Sequence, residues 1–128
     1  MPQIQVVFYQ DGKGVPVLEW LMDLRRKDRK AYAKCVARIH LLVQWGHDLR
    51  RPLADYLEED IYELRVRKGK VQYRILYFFH GQQVAVLAHS LIKEDAVPRI
   101  DLERAIARRK TFLKHPSRHS YQEDLGHG

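Results

Sequence analysis

The stretch "IYELRVRKGKVQYRILYFF", residues 61–79, has the pattern of a β-hairpin with a concentrated positive charge. Two runs rich in β-branched and aromatic residues flank a short turn at Lys68–Gly69, which predicts two antiparallel strands. Five basic residues fall within ten positions with no acid among them: Arg65, Arg67, Lys68, Lys70 and Arg74. The function of the chain depends on where these charges point.

Arg74 occupies the least expected position in this hairpin. Alternate residues of a strand share a face, and the neighbours of Arg74 in its strand are apolar on both faces. An unpaired guanidinium in such a strand would be costly. Two arrangements avoid that cost. One is an ion pair with Glu63, which burial favours, and the other is a place near the sheet edge where Arg74 faces a phosphate-bearing ligand.

The rest of the chain predicts one α+β domain with the element order βααβββα. The apolar residues within 47–60 show neither a helical nor a strand period, so this range is predicted to be a connection with one short turn. Residues 115–128 have little to bury, so we expect a domain over residues 1–114 and a mobile tail over 115–128. The predicted elements are a strand over 4–10, a helix after Pro16, a helix from Asp28 to Gly46, strands over 61–67, 71–80 and 83–91, and a helix from Pro98.

The charge balance of the chain points to a polyanionic partner. The 128 residues include 23 Lys and Arg against 16 Asp and Glu, a net charge of +7. The last fourteen residues hold one arginine and two acids, so the excess belongs to the predicted domain. Lys30, Lys34 and Arg38 are four apart on the second helix and are predicted to form a basic ridge. That ridge is either a solvated face or a set of weak contacts to the phosphates of a nucleic acid.

Several classes of protein are excluded by what the sequence lacks. The single cysteine, Cys35, cannot form an internal disulfide, and no phosphate loop or zinc-ligand spacing occurs, so we expect no metal and no cofactor. No apolar run reaches the 18 or more residues that a membrane span requires, and residues 1–10 do not resemble a signal peptide. We therefore expect a cytoplasmic protein that does not contact a membrane.

Two segments carry a resemblance to a known family. "LADYLEEDIYELRVRKGKVQYRILYFF", residues 53–79, is followed by "VAVLAHSLIKEDAVP", residues 84–98. With the predicted element order, this resembles the HigB-like, phage-derived branch of the RelE/ParE toxin superfamily over residues 4–113. The most specific marks are Glu63-Leu64-Arg65, Tyr73-Arg74, and the turn Ser90–Lys93 followed by Pro98. The resemblance implies two N-terminal helices and a C-terminal helix packed on a twisted antiparallel sheet, as in the compact microbial ribonucleases.

The resemblance also implies an activity and its partners. Proteins of this family are toxins of type II toxin–antitoxin pairs that enter the ribosomal A site, contact 16S ribosomal RNA and cleave the mRNA being translated. A cognate HigA-like antitoxin with a helix-turn-helix domain blocks them. By position, Arg74 matches the arginine that neutralises the scissile phosphate, and Lys93 matches the first residue of a lysine pair whose second member is Glu94 here. The implied catalytic set is Arg65, Arg74 and Lys93, and the implied RNA contacts are Arg67, Lys68, Lys70, Lys30, Lys34 and Arg38.

The chemistry of RNA cleavage leaves the proton-transfer groups open. Attack by the 2′-hydroxyl requires a proton acceptor, a proton donor for the leaving 5′-oxygen, and positive charge on the phosphorane. Arginine supplies charge but is a poor base. Lys93 or Tyr73 could transfer a proton only with a lowered pKa, and Glu63 or Glu94 only beside the ribose.

Three other functions are consistent with the same residues. They are a ParE-like gyrase poison, an inactive relative that binds antitoxin and operator DNA, and a basic RNA-binding domain without toxicity. Glu94 and the lack of an evident general base favour the first two.

Overall fold

The computed structural model of the chain describes residues 3–126, which form an α+β fold and confirm the predicted class. None of the helices in these residues is long and apolar enough to cross a membrane. The elements of residues 3–126 are β1 (Gln5–Tyr9), α1 (Pro16–Lys27), α2 (Arg29–Trp45), β2 (Ala54–Glu58), β3 (Ile61–Lys68), β4 (Val71–His80), β5 (Val84–Ile92), α3 (Arg99–Lys114) and β6 (Ser120–Tyr121), with short 3-10 helices at Gly46–Asp48 and Pro116–His119.

The strands form one mixed sheet in the order β2-β3-β4-β5-β1-β6. Neighbouring strands are antiparallel except β1 and β5, which are parallel with Gln5 opposite Val84. A parallel pair needs a long connection, and here α1, α2 and three further strands lie between the two partners. The sheet therefore contains one parallel pairing and two strands, β2 and β6, that the sequence pattern did not predict.

Helix α2 begins and ends where the sequence predicted. The Asp28 side chain accepts a hydrogen bond from the Ala31 N–H at 3.1 Å, which is the expected N-cap contact. Gly46 ends the helix with a φ of 54°, and a Cβ at this position would lie 3.0 Å from the Ile4 side chain. The apolar stripe of α2 is buried with α1 against one face of the sheet, and it comprises Ala31, Tyr32, Cys35, Val36, Ile39 and Leu42.

Helix α3 covers only part of the opposite sheet face. Phe112 packs edge-on against Phe78, with ring centroids 5.3 Å apart. The apolar residues beneath α3 are Ile61, Leu76, Phe78, Val86 and Ala88. Beyond them, toward the turn between β3 and β4, Arg67 of the same face is exposed. One half of this face is therefore apolar and covered, and the other half is charged and open.

The predicted connection over residues 47–60 is wrong in its second half, which contains β2. A bulge between Tyr56 and Glu58 interrupts the alternation of polar and apolar residues by which a strand is recognised. The β2–β3 turn consists of Glu59 and Asp60, whose φ angles are 49° and 66°. Tight turns of this kind usually contain Asn or Gly, so neither the strand nor its turn carried the expected signal.

The segment after α3 is attached to the sheet edge. Tyr121 lies opposite Phe8 in the β1–β6 pairing, and the Gln10 side chain donates to the carbonyl of Ser120 at 3.0 Å. The His119 ring stacks on Tyr9 with centroids 5.6 Å apart. The sequence did not indicate these contacts. The domain boundary at residue 114 and the mobility of residues 115–128 stay predictions.

The thiol of Cys35 provides a test of the core beneath α2. Cys35 is fully buried, and burial raises its pKa to about 12. We expect native protein at pH 8 to react with dithionitrobenzoate about 100-fold or more slowly than protein unfolded in guanidinium, because reaction requires an exposed thiolate. The reaction is followed by the absorbance of the released thionitrobenzoate, and equal rates in the two conditions would contradict this packing of α2.

Candidate nucleic-acid interface

The open half of the α3-side sheet face carries a row of basic side chains. Arg67 of β3 lies opposite Gln72 of β4, whose carbonyl accepts a hydrogen bond from the Lys93 N–H at 3.1 Å. Arg65 shares the face of Arg67 and lies opposite Arg74. Arg67 and Lys93 are exposed, and about a third of the Arg65 side chain, 34%, remains accessible. We call Arg65, Arg67 and Lys93 the basic row.

Arg74 lies beneath the basic row and not within it. Arg74 is 6% exposed, and its Nη1 donates to Glu63 Oε1 at 2.6 Å. Its Nε donates to the carbonyl of Lys93 at 3.1 Å and its Nη2 to the carbonyl of Glu94 at 3.3 Å. The ion pair weighed from the sequence is thus confirmed. The alternative, in which Arg74 itself faces a phosphate, does not match this geometry, because all three nitrogens donate to atoms of the chain.

Glu63 is the centre of a buried network of charges. Glu63 is 2% exposed, and its second oxygen, Oε2, is 3.2 Å from Nη2 of Arg65. The same Nη2 is 3.3 Å from Asp55 Oδ2, which also accepts from Nε of Arg51 at 2.9 Å. Three guanidinium groups therefore share two carboxylates, which leaves the network one positive charge in excess. Because both Glu63 oxygens are engaged, Glu63 is not available as a general base.

Arg51 and Asp55 of this network were missed by the sequence analysis. Asp55 lies opposite Glu63 only because β2 pairs with β3, and β2 was not predicted. The signal was a group of four acids in residues 53–60, Asp55, Glu58, Glu59 and Asp60, immediately before a hairpin rich in arginines. It indicated a charge partner for the hairpin in this segment, but not which of the four acids it is.

The contacts of Arg74 hold the turn that follows β5. Two successive carbonyls, those of Lys93 and Glu94, accept hydrogen bonds from one guanidinium. The side chains of both residues are exposed, so the turn presents an ammonium and a carboxylate side by side. Arg74 therefore fixes the backbone of residues 93–94 at the edge of the open face.

The other predicted RNA contacts on the hairpin are dispersed. Lys68 points to the opposite sheet face and pairs with Asp28 at 2.6 Å, so it does not join the basic row. Arg67 donates through Nε to the carbonyl of Gly69 at 3.0 Å, which fixes its side chain at the end of the strand. Lys70 is exposed in the β3–β4 turn beside it.

The predicted basic ridge on α2 is wrong at Arg38. Lys30 and Lys34 are exposed, whereas Arg38 is half-buried and donates through Nη1 to the carbonyl of Arg65. Residues four apart advance about 40° more than one helical turn, so the third position lies about 80° from the first. That drift turns Arg38 from the solvent toward β3.

The side chains of Tyr73 and His89 are poorly placed to transfer protons to a substrate on this face. Tyr73 is buried on the α2 side of the sheet, and burial raises the pKa of its hydroxyl. His89 is close to the open face, but its Nε2 is 2.7 Å from Asp101 Oδ1 and its Nδ1 is 3.3 Å from Arg108 Nη1. Burial lowers the pKa of His89, although the bond to Asp101 opposes that effect. Both ring nitrogens of His89 are therefore engaged within the fold.

Removal of the Glu63 carboxylate tests the importance of the buried network. We expect Glu63→Ala to lower the free energy of unfolding by about 3–5 kcal/mol, because it leaves the Arg74 guanidinium buried without a counter-charge. The matched control is Glu94→Ala, which removes an exposed carboxylate while the backbone contact to Arg74 stays; its expected cost is below about 0.5 kcal/mol. Urea unfolding measures both, and similar costs for the two variants would show that the Glu63–Arg74 pair does not stabilise the fold.

The family model described as phage derived protein Gp49-like (DUF891) matches residues 20–110, from within α1 to within α3. The matched residues contain the whole hairpin, the buried Glu63–Arg74 pair and the basic row. No curated protein matches the chain. The match covers well over half of the 128 residues. The chain therefore belongs to the Gp49-like family of phage-derived proteins, which is associated with RelE- and HigB-like toxins of toxin–antitoxin pairs.

Proposed function

We propose that this protein is a HigB-like toxin of a type II toxin–antitoxin pair and that it cleaves mRNA on the ribosome. The observation that carries the proposal is the basic row, Arg65, Arg67 and Lys93, on the part of the sheet face that α3 leaves open. Membership of the Gp49-like family supports a toxin. Exposed, positioned cations are the groups that bind an RNA backbone and stabilise charge on phosphorus.

In the proposed reaction the 2′-oxygen of a ribose attacks the adjacent phosphorus and the bond from phosphorus to the 5′-oxygen breaks. The proton of the 2′-hydroxyl passes to a base, and the leaving 5′-oxygen gains a proton. Arg65, Arg67 and Lys93 would stabilise the negative charge that develops on the phosphorane. Arg74 contributes by holding the backbone that carries Lys93.

We propose that the exposed carboxylate of Glu94 is the general base that accepts the proton of the 2′-hydroxyl. It follows Lys93 directly, and its backbone carbonyl is anchored by Arg74. Glu63 is excluded by its two guanidinium partners. A site with one exposed acid, and with His89 engaged at both ring nitrogens, gives the protein little control over proton transfer. We infer that the ribosome supplies much of the alignment between the mRNA and the site.

A second candidate function, a ParE-like gyrase poison or an inactive relative, is favoured by one specific observation. Arg74 is the residue that the resemblance assigned to the scissile phosphate, but its guanidinium donates to Glu63 and to the carbonyls of Lys93 and Glu94. Mapping of transcript 5′ ends after induction separates the candidates. A ribosome-dependent nuclease produces cuts within translated frames, a gyrase poison produces DNA breaks, and an inactive relative produces neither.

We also propose that the cognate partner is an antitoxin with a helix-turn-helix domain. A surface that accepts phosphates also accepts carboxylates, so an acidic segment of the antitoxin would cover the basic row and exclude mRNA. Truncation of that segment should restore toxicity in the complex.

The test of the proposed site is the double variant Arg67→Ala/Lys93→Ala. We expect cleavage about 100-fold slower or more and relief of growth arrest on induction, because two charges that stabilise the transition state are lost. The matched control is Arg104→Ala/Lys110→Ala, which removes two exposed charges of α3 and leaves the net charge of both double variants equal.

Both double variants need equal expression and equal thermal unfolding midpoints for this comparison. Full toxicity of Arg67→Ala/Lys93→Ala would contradict the assignment of the site. Equal relief by the α3 control would show that total charge matters and that the basic row does not.

A further inference from the structure

A cleft of about 420 Å³ lies beside the edge strand β2, outside the basic row. Its volume is within the range that accommodates a small organic ligand or a nucleotide base with its sugar. The residues that line it come from the short 3-10 helix after α2, the connection to β2, and strands β2 and β3. They are His47, Leu49, Arg50, Arg51, Ala54, Asp55, Tyr56 and Tyr62.

An aromatic series forms one wall of the cleft and extends into the core. Tyr56 contacts Tyr62 edge-on with centroids 5.1 Å apart, and Tyr62 stacks on the buried Tyr77 at 5.5 Å. His47 stacks on Phe79 at 3.7 Å. Tyr56 is 49% exposed, and its hydroxyl accepts a hydrogen bond from the Asp60 N–H at 3.1 Å. The ring is thus held in place by the edge-to-face contact with Tyr62 and by its hydroxyl, although about half of the Tyr56 surface is accessible.

The charges around the cleft are positive in balance. Arg50 is exposed and the Arg51 side chain is 76% exposed at the rim. The single acid of the lining, Asp55, already pairs with both Arg51 and Arg65. A preorganised aromatic ring beside exposed guanidinium groups is the combination that proteins use to bind single-stranded nucleic acid, with bases stacked on rings and phosphates near arginines.

The cleft is linked to the basic row by a chain of ion pairs. Asp55 and Tyr56 are consecutive in β2 and point to opposite sheet faces. The contacts from Arg51 to Asp55 and from Asp55 to Arg65 connect the two surfaces around the β2 edge. A single strand whose phosphates lie on the basic row can therefore pass over β2 and place a neighbouring base in the cleft.

We propose that the cleft beside β2 binds a base of single-stranded RNA, which stacks on Tyr56 while Arg50 and Arg51 contact the adjoining phosphates. The choice of RNA as the ligand rests on the proposed function. Stacking, charge and the link to the basic row favour RNA over an acidic peptide, since the carboxylates of such a peptide would pair with the arginines but have no π face to stack on Tyr56.

The experiment measures equilibrium RNA binding in solution, without ribosomes, so that it does not depend on cleavage. The probes are a fluorescent oligouridine with 2′-O-methyl groups, which cannot be cut, and an abasic oligomer of equal length. Tyr56→Leu should weaken binding of the oligouridine about 5- to 150-fold, because leucine keeps apolar bulk but has no π face. Binding of the abasic oligomer should not change.

Two variants serve as controls for the aromatic effect. Tyr56→Phe retains the ring and should bind oligouridine nearly as the parent protein does. Trp45→Ala removes another exposed aromatic ring, 51% accessible, that does not line the cleft, and should also leave binding unchanged. By contrast, Arg67→Ala/Lys93→Ala should weaken binding of both probes, because it removes phosphate contacts.

The outcomes separate this inference from the proposed function. Selective loss of oligouridine binding in Tyr56→Leu supports the cleft even where the Arg67→Ala/Lys93→Ala variant remains toxic. Equal binding of oligouridine by Tyr56→Leu and the parent protein contradicts the proposal that the cleft binds a base, even if toxicity requires the basic row. Equal weakening of both probes by Tyr56→Leu, or no binding of oligouridine by the parent protein, also overturns it.

Discussion

The ion pair between Glu63 and Arg74 is the contact on which the charged half of the sheet is built. Neither group is more than 6% exposed, so each would destabilise the fold if it were alone. The pair can be buried because both carboxylate oxygens of Glu63 and all three guanidinium nitrogens of Arg74 have partners. Glu63 accepts from two arginines, and Arg74 donates to one carboxylate and two carbonyls. These bonds connect β3, β4 and the turn after β5, and Asp55 extends the network to β2.

The positive charges of Arg65, Arg67, Arg74 and Lys93 fall into two classes. Arg74 is internal and gives the fold a defined turn at residues 93–94. Arg67 and Lys93 are external and retain the capacity to bind an anion, while Arg65 belongs to both classes, with one nitrogen shared by two carboxylates and a third of the side chain accessible. The same face carries an apolar half beneath α3, so a single sheet face supplies both a hydrophobic core and a charged surface.

The sequence predicted the features that depend on local chemistry. The cap at Asp28, the end of α2 at Gly46 and the hairpin over residues 61–79 follow from side-chain type and spacing, and the structure confirms them. The pair of Glu63 with Arg74 could also be predicted, because burial of an unpaired guanidinium is too costly. Features that depend on partners distant in the sequence could not be predicted. Strand β2 has a bulge and an atypical turn. Strand β6 is a strand only because it pairs with β1. Arg38 points inward because residues spaced four apart rotate around the axis of α2. The aromatic cleft depends on β2 and could not be inferred without it.

The position of β1 in the sheet has a consequence for how the chain folds. Gln5 pairs with Val84, and Phe8 pairs with Tyr121, so β1 gains both neighbours from segments that follow it at long sequence separation. On the ribosome, the apolar segment of β1 has no sheet to join until β5 has emerged from the exit tunnel. Contacts of such sequence separation slow folding and prolong the exposure of unpaired strands. The apolar segment of β1 therefore lacks its sheet partner while α1, α2 and strands β2 to β4 are synthesised, and the charged sheet face, which includes Lys93, is complete only after β5.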